Sequence, residues 1–173
     1  MIILCGSILL LSFGIYSAEN YPVPAKNNKL LFYIQRNHNK NTIVYDANFD
    51  KNGVLDENNP VHVYWIRYEE QGQKMELRTI EKWYAYGVKN EKVGNRKGYF
   101  RLKLVANEGH KFWLKQEAPF KAGVYTTIDN KMSLLDHMYI FADESGIWPK
   151  VMYVELFGQD TITLQSTYEK IIY

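Results

Sequence analysis

Short runs of residues that favour β-strands fill most of the chain after residue 29, and several of them alternate apolar with polar positions. In one of them, Phe100, Leu102 and Leu104 alternate with the basic residues Arg101 and Lys103. This two-residue period is typical of a strand with one buried face. Runs of this type, bounded by Gly, Asn, Asp or Pro, predict strands over residues 30–36, 42–48, 61–68, 99–106, 111–116, 123–128, 134–142, 150–157 and 161–172.

One segment has helical spacing instead. Leu77, Ile80, Tyr84 and Val88 recur at intervals of three or four residues, and Gly87 stands where a helix commonly ends. The spacing predicts a short helix over residues 77–86.

The connections between the predicted strands are mostly too short for parallel crossovers, and no strand–helix–strand rhythm is present. We therefore expect a mostly β fold, an antiparallel β-barrel or sandwich of about eight to ten strands with one short helix. One domain is predicted over residues 30–173. Residues 19–29 are predicted to form an extended leader, because Pro22, Pro24 and the polar run after them disfavour regular pairing.

The first 18 residues differ in kind from the rest. They hold no charged residue, they are rich in Ile and Leu, and they end in the small residues Ser17 and Ala18. This is the pattern of a signal peptide that is shorter than a membrane span, so we expect cleavage after Ala18 and a mature protein in the periplasm or outside the cell. The single cysteine, Cys5, lies inside this segment, so the mature domain is predicted to have no disulfide.

The charge balance argues against a nucleic-acid partner. The chain has 21 basic and 19 acidic residues, a net charge of +2. The most basic stretch, residues 89–103, is interpreted as a solvated hairpin edge that resists aggregation. If it is functional, an anionic glycan or lipid headgroup is the expected partner.

Aromatic residues form 15% of the chain, including 14 Tyr, a content that is compatible with the wall of a ligand-binding groove as well as with a packed core. The aromatic residues that we select as candidate ligand contacts are Tyr64, Trp65, Trp83, Tyr86, Trp113 and Trp148. Simple filling of the core also explains these residues, and it is the interpretation that we favour.

A loop rich in oxygen ligands follows the second predicted strand. Asn48, Asp50, Asn52 and Asp56, with Gly53 between them, follow the spacing of a calcium loop, although Asn replaces the usual acid at the first position. A plain hairpin turn favours the same residue types, so no cofactor is expected unless this loop binds calcium.

No catalytic or zinc constellation stands out. The four histidines His38, His62, His110 and His137 are too far apart in sequence to suggest a zinc site. Asp136 and His137, with Ser133 or Ser145, lack the glycine-flanked serine of a hydrolase. A glycosidase would need only two facing carboxylates, for which the candidates are Asp136, Asp143, Glu144 and Glu155.

Four segments carry a family resemblance. Residues 31–37, 41–48, 60–67 and 81–88, with Tyr64-Trp65 and Ala85-Tyr86-Gly87 as the most specific parts, resemble the exported bacterial family catalogued as domain of unknown function 4833. The resemblance implies an envelope or secreted location and no particular activity.

Together these features favour a non-catalytic binding or accessory module of the cell envelope. Its partner would be a small apolar, lipid or glycan ligand or an envelope protein, and membrane association would require an uncleaved signal. The alternatives are a carbohydrate-active hydrolase with a carboxylate pair and a small outer-membrane β-barrel.

Overall fold

The structure is a computed structural model that describes residues 21–105, 107–146 and 149–173. The predicted signal peptide and Trp148 therefore lie outside the described residues. The described strands are β1 (Leu30–Arg36), β2 (Asn39–Ala47), β3 (Val61–Arg67), β4 (Gln73–Glu76), β5 (Val88–Lys92), β6 (Tyr99–Leu104), β7 (Asn107–Ala118), β8 (Lys121–Ile128), β9 (Lys131–Asp143), β10 (Lys150–Asp160) and β11 (Ser166–Ile172). The described helices are one 3-10 turn at Tyr68–Glu70 and α1 at Thr79–Tyr84.

The prediction of a mostly β fold with one short helix is confirmed. The strands form one curled mixed sheet, a half-barrel, with the order β4-β3-β2-β1-β9-β8-β7-β6-β5 and with β10 and β11 extending from β9. The expectation of purely antiparallel pairing is wrong at one ladder among the described strands, because β1 and β9 run parallel. A chain that returns to its first strand after seven intervening strands is free to align either way.

The long strand β9 holds the sheet together. Residues 131–134 of β9 pair with β8, residues 137–140 pair with β1, and β10 pairs along the opposite edge. The sheet thus divides into a first wing, β1 to β4, and a second wing, β5 to β8, which join consecutive stretches of the same edge of β9. The register shift between Phe157 and Gly158 leaves Asp136 as the extra residue of a bulge at the division.

The inner faces of the two wings meet in a single core. Phe32 and Tyr45 of the first wing, Phe100 and Phe112 of the second wing, and Leu156 of β10 are each at most 1% exposed. Strand alternation explains this placement, because every second residue of a strand faces the same side.

The helix α1 is shorter than the predicted residues 77–86. Its N-terminus is fixed by Glu81, whose carboxylate accepts the Arg78 amide at 2.8 Å, and the Glu81 carbonyl accepts the amides of Ala85 and Tyr86. Gly87 follows, but it is needed for a close approach, since a Cβ there would lie 1.8 Å from the Lys82 carbonyl oxygen. None of the described helices is long and apolar enough to span a membrane.

The strands β4 and β5 were not predicted from the sequence. All of β4 is exposed and β5 is largely polar, so neither has the alternation that identifies a half-buried strand.

Candidate functional site

The outer face of the second wing carries a groove lined by aromatic side chains. Phe100 and Leu114 point into the core, so the alternate positions Tyr99, Trp113 and Tyr125 point outwards. Trp113 lies opposite Tyr125, and Tyr125 lies opposite Leu134 of β9. Three strand spacings of about 4.8 Å give this row a length of about 14 Å.

The rings of Tyr99 and Trp113 form the most regular part of this aromatic groove. Their centroids are 5.9 Å apart and their planes differ by only 16°. The guanidinium of Arg96 lies 6.0 Å above the Tyr99 ring. The two rings are thus stacked and nearly parallel, and a cation lies over the Tyr99 ring.

The loop after β10 forms one wall of the aromatic groove, which has a volume of about 700 Å³. Asp160, Thr161 and Leu164 line it there, and Lys115 and Gln159 add further polar groups. The Asp160 carboxylate accepts the amides of Ile162 at 2.7 Å and Thr163 at 3.0 Å. These two hydrogen bonds lower the pKa of Asp160 and brace the loop.

Tyr125 is held in place at the base of the aromatic groove by a charged pair. Its hydroxyl donates to Glu117, which also forms an ion pair of 2.8 Å with Lys121. Burial raises the pKa of Tyr125, and the hydrogen bond to Glu117 raises it further. Burial alone would raise the pKa of Glu117, but the bonds from Lys121 and Tyr125 lower it overall. Tyr125 therefore stays a neutral donor, and its ring is fixed.

The structure does not gather the aromatic residues selected from the sequence. Trp65 and Tyr86 are core residues that meet edge to face at 5.1 Å. Tyr64 is buried on the outer face of the first wing, and its hydroxyl donates to Asp46 at 3.0 Å. Trp83 is 69% exposed on α1, so among the described members of this set, Trp113 is the one that lines the aromatic groove.

Tyr99 and Tyr125 were missed as site residues, although the sequence carried a signal for them. Tyr99 shares its alternate positions with Arg101 and Lys103, the face assigned to solvent. A single exposed aromatic side chain is common, but aromatic side chains at solvent-facing positions of neighbouring strands form an exposed apolar patch, and such patches mark interaction sites.

The candidate calcium loop folds on itself. One oxygen of Asp50 accepts the amides of Asn52 at 2.8 Å and Val54 at 2.9 Å. Asp56 accepts the backbone amides of Asn58 and Asn59 in the same way, and the side-chain Nδ2 of Asn48 donates to the Asn59 carbonyl at 3.0 Å. These are turn contacts that a plain hairpin loop also makes, and calcium binding here stays a prediction.

Asp136 and His137 lie next to each other at the bulge of β9. The Asp136 carboxylate is 2.8 Å from His137 Nδ1, and this hydrogen bond lowers the pKa of Asp136. The imidazole stacks between Tyr33 at 5.0 Å and Phe157 at 4.3 Å. Ser133 is fully buried and hydrogen bonds to Thr167 and the Lys131 carbonyl, so it is not joined to this pair.

The remaining candidate carboxylates each have a separate partner. Glu144 pairs with Arg36 at 3.1 Å, Asp143 accepts the Ser145 amide at 2.9 Å, and Glu155 accepts the Tyr168 hydroxyl at 2.7 Å. Across residues 21–105, 107–146 and 149–173, no three His, Cys, Asp or Glu side chains converge as metal ligands would.

The basic stretch over residues 89–103 is partly neutralised within the protein. Glu91 pairs with Arg101 at 2.5 Å and with Lys103 at 2.7 Å, while Lys92 pairs with Glu57 at 2.6 Å. These pairs follow the edge strand β5 and support its interpretation as a charged, solvated edge.

The family assignment agrees with the resemblance seen in the sequence. The family model described as "Domain of unknown function (DUF4833)" matches residues 32–170. The chain therefore belongs to this family. No curated protein and no solved structure matches it.

Proposed function

We propose that the protein is a non-catalytic binding module of the cell envelope, and that the aromatic groove of the second wing holds a carbohydrate chain. The observation that carries the proposal is the pair of nearly parallel rings, Tyr99 and Trp113, on an outward-facing strand surface. One face of a sugar ring is made of C–H groups, which stack well on an aromatic ring, while its hydroxyls need hydrogen-bonding partners.

The polar groups of the aromatic groove suit those hydroxyls. Lys115 supplies donors, and Gln159 supplies its amide oxygen and the amide hydrogen that is not donated to the Leu164 carbonyl, both beside the aromatic row. A mostly apolar cleft with a few placed polar groups is the usual form of a small-ligand site. An elongated groove on an outer face suits a chain of sugar rings better than a lipid tail, which favours an enclosed apolar cavity.

The test measures binding of the mature chain to insoluble chitin, cellulose and peptidoglycan, and to the corresponding soluble hexasaccharides by calorimetry. We expect at least one of these probes to bind, and Trp113→Ala to weaken its binding about tenfold or more, since base or ring stacking on one aromatic side chain is worth about 1–3 kcal/mol. Trp83→Ala is the matched control, because Trp83 is exposed but lines a separate depression with Val61 and Val105.

Equal binding by wild type and Trp113→Ala would contradict the proposal. So would the absence of binding to every glycan probe. Retention on anionic lipid vesicles alone would favour a lipid ligand instead. Release of reducing sugar from a probe would favour the carbohydrate-active hydrolase, and the candidate carboxylates Asp136, Asp143, Glu144 and Glu155 would then be tested individually.

We also infer that the protein acts in the periplasm or outside the cell. The uncharged, apolar run up to Ala18 supports this location, and an intact mass beginning at Glu19 in the native cell would establish it. A mass that includes Met1 would contradict cleavage. The proposed binding requires no cofactor.

A further inference from the structure

The leader before β1 lies across the outer face of the sheet. Residues 21–27 have neither helical nor strand structure, yet Pro24 is buried and Tyr21 packs on Tyr139 of β9 with ring centroids 5.6 Å apart. The carbonyl of Pro22 accepts a hydrogen bond from Gln35 Nε2 at 3.0 Å and one from the Thr42 hydroxyl at 3.5 Å. The leader thus occupies a groove over β1, β2 and β9, which we name the leader groove.

Two polar side chains form the floor of the leader groove. Gln35 is 6% exposed and Thr42 is fully buried, and both point away from the main core because their neighbours Ile34 and Ile43 point into it. A buried amide without a hydrogen-bonding partner costs about 1–3 kcal/mol. An occupant that covers Gln35 must therefore offer it an acceptor, as the Pro22 carbonyl does.

These contacts depend on features that many extended peptides share. A proline carbonyl is satisfied by Gln35 and Thr42, a proline ring is buried, and an aromatic side chain meets Tyr139. Prolines keep a chain extended at low entropic cost, which is how aromatic-lined grooves select proline-rich peptides. Any chain with the pattern aromatic-Pro-x-Pro offers the same groups.

The leader is held mainly by these side-chain contacts. Between residues 22–26 and the rest of the described chain, no backbone–backbone hydrogen bond is formed. The next residues form a tight turn, in which Asn27 Oδ1 accepts the amides of Lys29 at 2.8 Å and Leu30 at 3.1 Å. The segment before this turn can detach without breaking any ladder of the sheet.

We propose that the leader groove is a peptide-recognition site for extended chains with an aromatic-Pro-x-Pro pattern, and that the protein's own leader is its resident occupant. A tethered leader competes strongly with a free peptide because its effective concentration is high. A partner peptide of this chemistry therefore binds when the leader is released.

The test uses the full mature chain with the leader loosened by Pro22→Gly and Pro24→Gly, which restores the backbone freedom that the prolines remove. The probe is a fluorescent synthetic peptide with the sequence of residues 21–29, and binding is followed by anisotropy. We expect the loosened chain to bind the peptide at least tenfold more tightly than the wild type does. A peptide with glycine in place of both prolines serves as the control ligand and should bind at least tenfold more weakly.

Adding Gln35→Leu to the loosened chain separates the leader groove from other surfaces. It should weaken binding of the peptide about tenfold, because the bond to the proline carbonyl is lost. The proposal is overturned if the loosened chain, folded by circular dichroism, does not bind the peptide, or if Gln35→Leu leaves binding unchanged. Glycan binding at Trp113 lies on the other wing, so either result leaves the proposed function to its own test.

Discussion

The side chain of Gln116 forms a hydrogen bond with the backbone of Gly53, which is 63 residues away in sequence. Its Nε2 donates to the Gly53 carbonyl at 2.7 Å, and its Oε1 accepts the Leu55 amide at 3.0 Å. The Phe120 amide donates to the same Gly53 carbonyl at 3.0 Å. The loop between β2 and β3 is thereby fixed to the second wing, and Leu55 is placed in the core with 1% exposure.

Replacing Gln116 tests this connection. We expect Gln116→Leu to lower the free energy of unfolding by about 1–3 kcal/mol, since the Gly53 carbonyl and the Leu55 amide both lose a partner. Urea denaturation with an unchanged m-value is the measurement. Gln73→Leu, on the exposed edge strand β4, should change stability by less than about 0.5 kcal/mol. Similar losses in unfolding free energy for the two variants would show that the hydrogen bonds of Gln116 add no stability.

Position 53 requires glycine for a steric reason that does not apply at position 94. Both have a left-handed backbone, with φ of +78° and +59°, but a Cβ on Gly53 would lie 2.6 Å from the Phe120 ring, whereas one on Gly94 would meet nothing within 4 Å. We expect Gly94→Ala to cost about 1–2 kcal/mol from backbone strain. Gly53→Ala should cost about 1–3 kcal/mol more, because a Cβ would also lie 2.8 Å from the Phe120 backbone nitrogen, so both the ring and the backbone of Phe120 must shift. Thermal denaturation compares the two variants, and equal costs would show that Phe120 shifts freely.

The hydroxyl of Tyr45 should contribute to stability. Tyr45 is fully buried and donates to the Tyr86 carbonyl at 2.8 Å. Tyr45→Phe leaves that carbonyl without this donor, so we expect a loss of about 1–3 kcal/mol in the free energy of unfolding. Tyr84→Phe is the control, because Tyr84 is 77% exposed on α1. An unchanged denaturation midpoint for Tyr45→Phe would contradict this account.

Leu164 is held in a backbone conformation that leucine rarely adopts. Its φ is +59°, and its side chain is 66% exposed beside the aromatic groove. Leu164→Gly relieves about 1–2 kcal/mol of strain but adds about 0.5–1 kcal/mol of unfolded-state entropy, so stability should stay equal or rise by up to about 1.5 kcal/mol. Leu164→Val should destabilise, because a β-branched residue fits this region poorly. Calorimetric melting gives both values, and a less stable glycine variant would refute the strain.

Asp160 should make the unfolding free energy of the protein depend on pH in the acid range. Its hydrogen bonds to two amides lower its folded-state pKa below the usual 3.8, so the ionised carboxylate stabilises the fold at neutral pH. This contribution is complete above the unfolded-state pKa and is lost as pH falls through the folded-state pKa. The unfolding free energy of Asp160→Asn should therefore fall less steeply than that of wild type below about pH 4. Parallel pH profiles from denaturant titrations would contradict this prediction.

The alternation of apolar and polar residues determined much of the fold. The predicted strand over residues 30–36 coincides with Leu30–Arg36, and every other predicted strand overlaps an observed one. Alternation identifies strands such as β6, which has one face in the core. By contrast, β1 and β2 are buried on both faces, and their β-branched and aromatic residues identify them as strands. The same reasoning missed β4 and β5, whose pairing is decided by neighbours and not by a buried face of their own.

The helix shows where a local pattern is misleading. Leu77 is buried as its position in the helical pattern predicts, but Ile80 and Tyr84 are 62% and 77% exposed. Glu81, with its bonds to Arg78 and to the following amides, sets the limits of α1 instead.

The sequence by itself determined the strand content, the short helix and the family, because alternation and local residue chemistry depend on near neighbours. Tertiary structure alone decided that β1 joins β9 in parallel, that Trp65 fills the core, and that Trp113 meets Tyr99 on an outer face. These outcomes depend on which strands become neighbours after long connections, and one sequence carries no local signal for that choice.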